Sequence, residues 1–422
     1  MAKNSLKARS PWLWVPTLYF AEGVPYVVVV TVTAIMYVKL GVSNTAMAFY
    51  TSLLLLPWSL KALWSPLVDI FGTRRRWIIV MQLLLAISMA AVALALPGTM
   101  YFRLTMASFL IMGVLSATHD IAADGFYLTA LDDSRQSYFV GIRTAVYRLA
   151  IILGQGPLVM LAGWPETTCG DIPRAWAITF YIMAGIYACI AFYHIFALPR
   201  PASDRPKDAR TLRQVMAEFG RTFAAFFRKP HIVTALLFML LYKFPEAQLT
   251  KMISPFMLAP AAEGGLGLST ADVGYYYGTI GIVGLMAGGI IGGMAASRGG
   301  LQRWLMPMAW SMSLTCATFI YLSNVTEPSG FAVGLCIAVE QFGYGFGTTA
   351  YILYLMRFSA GPWSSSHYAI CTGIMSLGLM FPGMAAGWLQ QHLGYADFFI
   401  WTLASCAITI AVSLAARRHL PD

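Results

Sequence analysis

Long apolar stretches alternate with short polar loops along most of this 422-residue chain. Crossing the hydrocarbon core of a bilayer as an α-helix takes about 20 predominantly apolar residues. The predicted spans are residues 12–38, 46–66, 77–97, 104–130, 139–163, 175–198, 231–258, 271–296, 303–322, 329–356, 367–390 and 396–416. The pattern therefore predicts an all-α integral membrane protein with twelve transmembrane helices.

The longest polar segment divides these spans into two equal groups. Residues 199–229 separate the spans of residues 1–198 from those of residues 230–422. Apolar residues recur at helical spacing within this linker, which favours an amphipathic helix on the membrane surface over a disordered connection. These apolar residues are Leu212, Val215, Met216, Phe219, Phe223, Phe226 and Phe227. We predict two six-helix halves joined by this linker.

Lysine and arginine residues are unevenly divided between alternate loops. Twenty of them fall on one side of the predicted membrane, and only three fall on the other, namely Lys39, Arg103 and Arg174. Because basic loops remain on the cytoplasmic side of a membrane, both termini and the linker are expected in the cytoplasm.

The composition supports a membrane protein and argues against other classes. Hydrophobic residues make up 58% of the chain and charged residues 11%, whereas about a quarter of the residues in soluble domains are charged. The net charge of +10 does not indicate nucleic-acid binding, because the basic residues lie in short loops. The six cysteines have neither metal-binding nor disulfide spacing. The N-terminus does not resemble a cleaved signal peptide, so we expect the first span to direct insertion.

Ten ionisable side chains, histidines aside, fall well inside the predicted spans. An ionised group is costly in hydrocarbon unless it pairs or faces water, so each one is a candidate functional residue. Five acids balance five bases, as expected of a hydrated cavity. The set consists of Glu22, Asp120, Asp124, Glu246, Glu340, Lys61, Arg143, Arg148, Lys243 and Lys251.

The densest part of this set lies in residues 116–148. Asp120 and Asp124 are four residues apart and share one face of a helix, and Arg143 and Arg148 follow after a short polar turn. The pairs Asp120–Arg148 and Asp124–Arg143 are either static salt bridges or parts of a solute cavity. In the second interpretation, Asp120 and Arg148 form the deeper pair.

Proton coupling would require a carboxyl group that changes its partner during transport. Glu22 and Glu340 have no neighbouring base in the sequence, and Asp124 could alternate between Arg143 and solvent. His119 is equally compatible with a packed polar residue and with a titrating switch.

Proline lies beside the charges in the first helix of each half. Glu22 belongs to FAEGVPY, and Lys243 and Glu246 belong to YKFPEAQ. Broken helices at matching positions of two repeats point to a binding site near the middle of the membrane. The glycine-rich residues 278–293 follow no predicted strand and lack the Lys-Ser/Thr of a nucleotide loop, so they predict close helix packing.

Several motifs resemble those of known transporters. The loop SPLVDIFGTRRR, which contains Asp69, is similar to the GxxxDRxGRR loop of the major facilitator superfamily, whose acid latches one conformation. LKALWSPLVD, SATHDIAADGF, VYRLAIILGQG, LYKFPEA and VEQFGYGFGTTAYILYLM resemble the AmpG-type muropeptide permeases of this superfamily and, more distantly, its acetyl-coenzyme A transporters. The resemblance covers nearly the whole chain.

The resemblance implies a proton-driven secondary transporter of the bacterial inner membrane, whose solute is a 1,6-anhydro disaccharide with or without a short peptide. A siderophore or another peptide-like solute is the alternative substrate. A membrane-embedded enzyme or scaffold is a third interpretation, for which no nucleophile–base pair or metal cluster is visible in the sequence. We expect a monomer without a cofactor or a bound metal.

Candidate roles follow from these considerations, with basic groups for solute carboxylates and polar groups for hydroxyls. The residues expected to contact solute are Lys61, Asp120, Tyr147, Arg148, Gln155, Lys243, Glu246, Glu340, Gln341 and Tyr351. The residues expected to act in proton coupling or gating are Glu22, Asp69, His119, Asp124 and Arg143. Aromatic residues near these charges, including Tyr19, Tyr127 and Tyr147, could stack on sugar rings, although most aromatics in membrane helices simply pack.

Overall fold

The computed structural model describes residues 10–204, 212–361 and 363–420. The α-helices are α1 (Val15–Val27), α2 (Thr33–Lys39), α3 (Asn44–Leu53), α4 (Leu56–Leu60), α5 (Ser65–Ile70), α6 (Arg74–Ala95), α7 (Tyr101–Ala130), α8 (Asp133–Gln155), α9 (Pro157–Cys169), α10 (Ile172–Ala197), α11 (Leu212–Phe227), α12 (Ile232–Leu241), α13 (Phe244–Leu258), α14 (Thr270–Tyr275), α15 (Ile282–Thr315), α16 (Ala317–Asn324), α17 (Gly330–Ser359) and α18 (Ser364–Arg418). The predicted helical fold is confirmed. Within the described residues, nine helical stretches are long and apolar enough to cross a membrane.

Two of these stretches are more than twice as long as a single span requires. Thr270–Asn324 has 55 residues and Ser366–Arg418 has 53. The first is interrupted at Gly300 (φ 70°, ψ 161°) and the second at Gly394 (φ 76°, ψ 174°). Glycine favours this region of backbone space because it has no Cβ. Each glycine lies between two of the predicted spans.

The first helix of each predicted half is discontinuous. A π-helical turn, Val28–Val32, follows α1 and leads into α2. Between α12 and α13, Lys243 has a non-helical backbone conformation (φ −99°, ψ 17°), and Pro245 lies in the first turn of α13. The predicted break beside Lys243 is confirmed, whereas α1 runs through Glu22 and Pro25 and its irregular turn begins at Val28.

The chain forms two compact units. The first comprises Met1–Val29, Leu60–Gly154 and Trp164–Leu212, and the second comprises Val30–Ser59, Gln155–Gly163 and Arg213–Asp422. In the first unit, α6 packs against α7 and α10, and α1 packs against α7. In the second unit, α15 packs along α17, while α3, α12 and α13 pack against α18.

Glycine allows the backbones of α15 and α17 to approach closely. A Cβ added to Gly288 would collide with the carbonyl oxygen of Phe342, and one added to Gly345 would collide with that of Leu285. The close packing predicted for residues 278–293 is confirmed.

The predicted amphipathic helix is present as α11. Phe226, near its end, is fully buried in the core of the second unit. Beyond α11, Lys229 donates hydrogen bonds to the carbonyl oxygens of Phe358 (2.5 Å) and Ala360 (2.9 Å). A cation at this position satisfies the C-terminal carbonyls of α17 and its dipole, while burial lowers the pKa of Lys229.

Replacing Gly288 by alanine should destabilise the second unit, because the added methyl group meets the backbone of α17. We expect Gly288→Ala to cost about 1–3 kcal/mol, measured as a lower melting temperature of the purified protein in detergent. Gly293→Ala is the matched control, since no atom lies within 4 Å of its added Cβ. Equal melting temperatures for the two variants would contradict the close packing.

Candidate functional site

In the first unit, an ion pair joins Lys61, in the short turn after α4, to Asp120 of α7. The Lys61 side chain keeps 30% of its exposure and that of Asp120 keeps 15%. Glu22, on α1, is close enough to Asp120 for the two acids to interact electrostatically. Glu22 is almost fully buried, and its Oε2 has no partner among the described residues. Asp120 thus interacts with both a base and a second acid.

The predicted ion pair between Asp120 and Arg148 is wrong. Arg148 is exposed on α8 and forms no ion pair within the described part of the chain. The helix period explains the error: five residues rotate a side chain by about 140°. Arg143 and Arg148 therefore cannot both face the single side of α7 that carries the two aspartates.

The predicted pair of Asp124 and Arg143 is confirmed, and two tyrosines surround it. Arg143 Nη1 lies 3.0 Å from Asp124 Oδ1. Tyr19 donates to Asp124 (2.9 Å) and accepts from Arg143 (2.8 Å). The guanidinium also lies 4.9 Å from the ring centroid of Tyr19 and 5.0 Å from that of Tyr127, distances typical of cation–π contacts. Because 47% of the Asp124 side chain stays exposed, this group remains accessible from outside the core.

His119 belongs to a buried network of hydrogen bonds that joins four helices. The Gln82 amide donates to His119 Nε2 (2.9 Å) and accepts from His194 Nδ1 (2.9 Å). Thr17 Oγ1 lies 2.9 Å from His194 Nε2. These roles assign each histidine a neutral form with its proton on Nδ1. The arrangement favours the packed interpretation of His119 over the titrating one.

The two remaining candidates of this unit lie on α5 and α8. Tyr147 is half-buried and packs against α1 at Gly23, where an added Cβ would lie 3.4 Å from its ring. Asp69 is in α5, but its side chain lies outside the described part of the structure. Its gating role stays a prediction.

The candidates of the second unit are more deeply buried. Lys243 is 5% exposed; its ammonium donates to Tyr344 Oη (3.3 Å) and lies over the rings of Tyr344 (4.6 Å) and Tyr351 (5.6 Å). Tyr351 is fully buried, and its hydroxyl donates to the carbonyl oxygen of Met239 (2.5 Å). Gln155 is half-buried at the end of α8, and its backbone packs closely against Gly278.

Two acids and an amide meet in the same unit. Glu246 and Glu340 are each 1% exposed, and Gln341 is 4% exposed. Glu246 and Glu340 are close enough to interact electrostatically, and the Gln341 amide donates to Glu340 Oε2 (2.8 Å). In this conformation these groups are closed off from solvent.

Sequence reasoning missed three residues that complete these clusters. Gln82 is a single polar residue within IIVMQLLLA, and His194 lies within FYHIF. An isolated polar residue in an apolar span must find a partner, so both could have been identified from the sequence. Tyr344, which contacts Lys243, lies among the glycines of GYGFG and carried no comparable signal.

Membrane-spanning helices that share charged and hydrogen-bonded clusters are features of a polytopic transporter, and comparison with known proteins identifies the family. The model of the Major Facilitator Superfamily matches residues 17–362. The chain belongs to this superfamily. It is a secondary transporter rather than an enzyme, and a multi-pass protein of the bacterial inner membrane.

Individual relatives support this assignment. The chain is 26% identical to a transporter named AmpG 4 of Rickettsia conorii, over 92% of its own length and 91% of the relative's. It is also 26% identical to the anhydromuropeptide permease of Escherichia coli, over 85% of its own length and 70% of the relative's.

Solved structures share the fold at lower sequence identity. A bacterial homologue of the lysosomal transporter Spinster aligns with a TM-score of 0.74 at 16% identity, over 99% of this chain and 98% of the other. A D-xylose–proton symporter aligns with a TM-score of 0.70 at 14% identity, over 97% of each chain.

Removing the Gln82 amide should destabilise the first unit, because it leaves two buried histidine nitrogens without partners. We expect Gln82→Leu to cost about 1–3 kcal/mol, measured by thermal unfolding in detergent. Gln302→Leu, at an exposed position of α15, is the control and should leave the melting temperature unchanged. An unchanged melting temperature for Gln82→Leu would show that the network contributes no stability.

A double-mutant cycle tests the partner of Asp120. Lys61→Met and Asp120→Asn should each destabilise the protein, because each leaves one charge unpaired. The double variant should be more stable than the sum of the two effects predicts, with a coupling of about 1–3 kcal/mol. The parallel cycle of Arg148→Met with Asp120→Asn should show no coupling. The reverse pattern would restore Arg148 as the partner.

Proposed function

We propose that this transporter imports cell-wall muropeptides, meaning an anhydro-disaccharide with or without a short peptide, together with protons and by alternating access. The observation that carries the proposal is the similarity to a protein named anhydromuropeptide permease, which extends over 85% of this chain. The charged clusters of both units supply chemistry suited to such a solute.

The topology we propose has twelve transmembrane helices and cytoplasmic termini. The two long stretches each contain two of the predicted spans, and α17, with 30 residues, is long enough to form a further one. The 20-to-3 division of Lys and Arg supports the orientation. The halves are residues 1–198 and 230–422, joined by the linker 199–229, and the functional form is a monomer.

In the first unit, the groups proposed to meet solute are accessible. A muropeptide carries carboxylates, hydroxyls and sugar faces. Arg148 is exposed and Lys61 partly exposed, so both can attract carboxylates. Asp120 can accept hydrogen bonds from hydroxyls, and Tyr147 offers a ring to a sugar.

In the second unit, the proposed solute contacts depend on a conformational change. Gln155 is half-buried, whereas Lys243, Glu246, Glu340, Gln341 and Tyr351 are almost fully buried. They can meet solute only when the helices around them rearrange, as alternating access requires.

The contacts of Asp120 suggest how solute and proton are coupled. A solute carboxylate that binds Lys61 competes with Asp120 for the same cation. Asp120 and Glu22 would then face each other without a compensating base, and a proton between them would remove the repulsion. Asp124 and His119 lie on α7, and Arg143 lies on α8. Asp124 and Arg143 are proposed to act in gating, with Asp69 as a conformational latch.

Uptake in cells tests this proposal directly. Cells that lack their own muropeptide permease should accumulate labelled anhydro-disaccharide when they express this chain, and a protonophore should abolish the accumulation. The control is the same strain with an empty vector. If a correctly inserted protein gives no uptake of the disaccharide but transports a siderophore, the alternative substrate is correct. Uphill transport into liposomes without a proton gradient would refute proton coupling.

A further inference from the structure

Lys251 of α13 is a cation inside a predicted span that has no carboxylate partner among the described residues. Its side chain is half-buried, and it forms no ion pair in that part of the chain. Its ammonium donates to Thr51 Oγ1 of α3 (3.0 Å). An ammonium carries three N–H groups, so two of them have no described acceptor. A cation within a membrane is costly unless something pairs with it.

A second donor close to Lys251 also lacks an acceptor. Ser52 is fully buried, and its Oγ has no hydrogen-bond partner within the described residues. A Cβ added to Gly383 of α18 would lie 2.8 Å from Ser52 Oγ and 3.5 Å from Lys251 Cε, so both groups lie close to the same glycine. The Thr51 hydroxyl already donates to the carbonyl oxygen of Met47 (2.7 Å). Donors without acceptors around an ammonium are the composition of a site for an anion.

The neighbouring contacts of α3 with α18 need no charge. Asn44 donates from its amide to Gln390 Oε1 (2.7 Å) and to Tyr395 Oη (3.1 Å), and Thr45 donates to Gln391 Oε1 (2.5 Å). Amides and hydroxyls make these contacts without the desolvation cost of a cation. A lysine whose only task was to join two helices would carry a cost that a neutral residue avoids, so the charge indicates a ligand.

In the proposed topology this group of donors lies towards the periplasm. Lys251 lies in the last third of the predicted span 231–258, and Thr51 lies in the first third of the predicted span 46–66. Both of these span ends face the periplasm when the termini are cytoplasmic. By sequence Thr51 belongs to the first predicted half, but it packs within the second compact unit. Movement of α3 away from α13 and α18 would therefore uncover Lys251 on the side from which an imported solute enters.

We propose that Lys251, together with Ser52, forms an entry site for a carboxylate of the solute. The proposal rests on the proposed function, because it names the group of the muropeptide that the open carrier binds. In the described conformation the Thr51 hydroxyl takes the place of that carboxylate. When α3 moves away, the ammonium exchanges a neutral acceptor for a charged one, and a hydrogen bond between two charged groups is roughly twice as strong.

Solute counterflow in liposomes tests the site with two forms of one solute. The first is the muropeptide with its carboxylates, and the second is the same molecule with these groups converted to amides. We expect Lys251→Met to raise the half-saturation concentration of the carboxylate form about tenfold and that of the amide form less than about twofold. Arg303→Met, which removes one charge from an exposed position of α15, is the matched control and should change neither value.

Thr51→Val should change the same quantity in the opposite direction. The substitution removes the hydroxyl that competes with the carboxylate for Lys251. The half-saturation concentration of the carboxylate form should therefore fall, by about two- to fivefold. This decrease should disappear when Thr51→Val is combined with Lys251→Met, because the cation that both acceptors share is then missing. A decrease that persists in the double variant would overturn the competition.

The remaining results separate recognition from structure. An equal rise for both solute forms in Lys251→Met would assign Lys251 to helix movement and overturn the entry site. The melting temperature of Lys251→Met should equal or exceed that of the wild type, since a cation without a counter-charge is removed; a large decrease would assign Lys251 a structural role instead.

Failure of the proposed function can be told apart from failure of the site. If the wild type carries the muropeptide and Lys251→Met keeps its half-saturation concentration, only the entry site fails. If the wild type carries a siderophore or another solute instead, the muropeptide proposal fails. The acid and amide forms of that solute then test Lys251 in the same way, with the same expected changes.

Discussion

A charged side chain inside a membrane protein is stable only where the protein supplies the charges and hydrogen bonds that water would otherwise provide. In the first unit these interactions involve α7. Lys61 and Glu22 both interact with Asp120, and Arg143 forms an ion pair with Asp124. The same contacts that stabilise these charges therefore fix the positions of α1, α7 and α8.

Close helix packing has the corresponding role in the second unit. Glycines let α15 and α17 approach until backbone meets backbone at Gly288 and Gly345. Glu340 and Gln341 on α17 and Glu246 on α13 are almost fully buried. Desolvation of this kind makes the protonation of an acid depend strongly on its neighbours, which is the property that coupling a proton to a conformational change requires.

The acids of the two units have different surroundings. In the first unit a lysine compensates the pair, and the side chains keep some exposure. In the second unit the lysine contacts tyrosines instead, and the acids are closed off.

The sequence by itself determined the features that depend on local pattern. Apolar length indicated membrane-spanning helices, Pro indicated the break beside Lys243, and small residues indicated close packing. The pair of Asp124 and Arg143 could also be predicted, since a short turn connects the helices that carry them. Only the tertiary structure decided which faces of distant helices meet. Lys61 reaches Asp120 across 59 residues of chain, and His194 reaches Gln82 across 112. Helical periodicity orients a side chain about its own axis but does not specify the helix opposite.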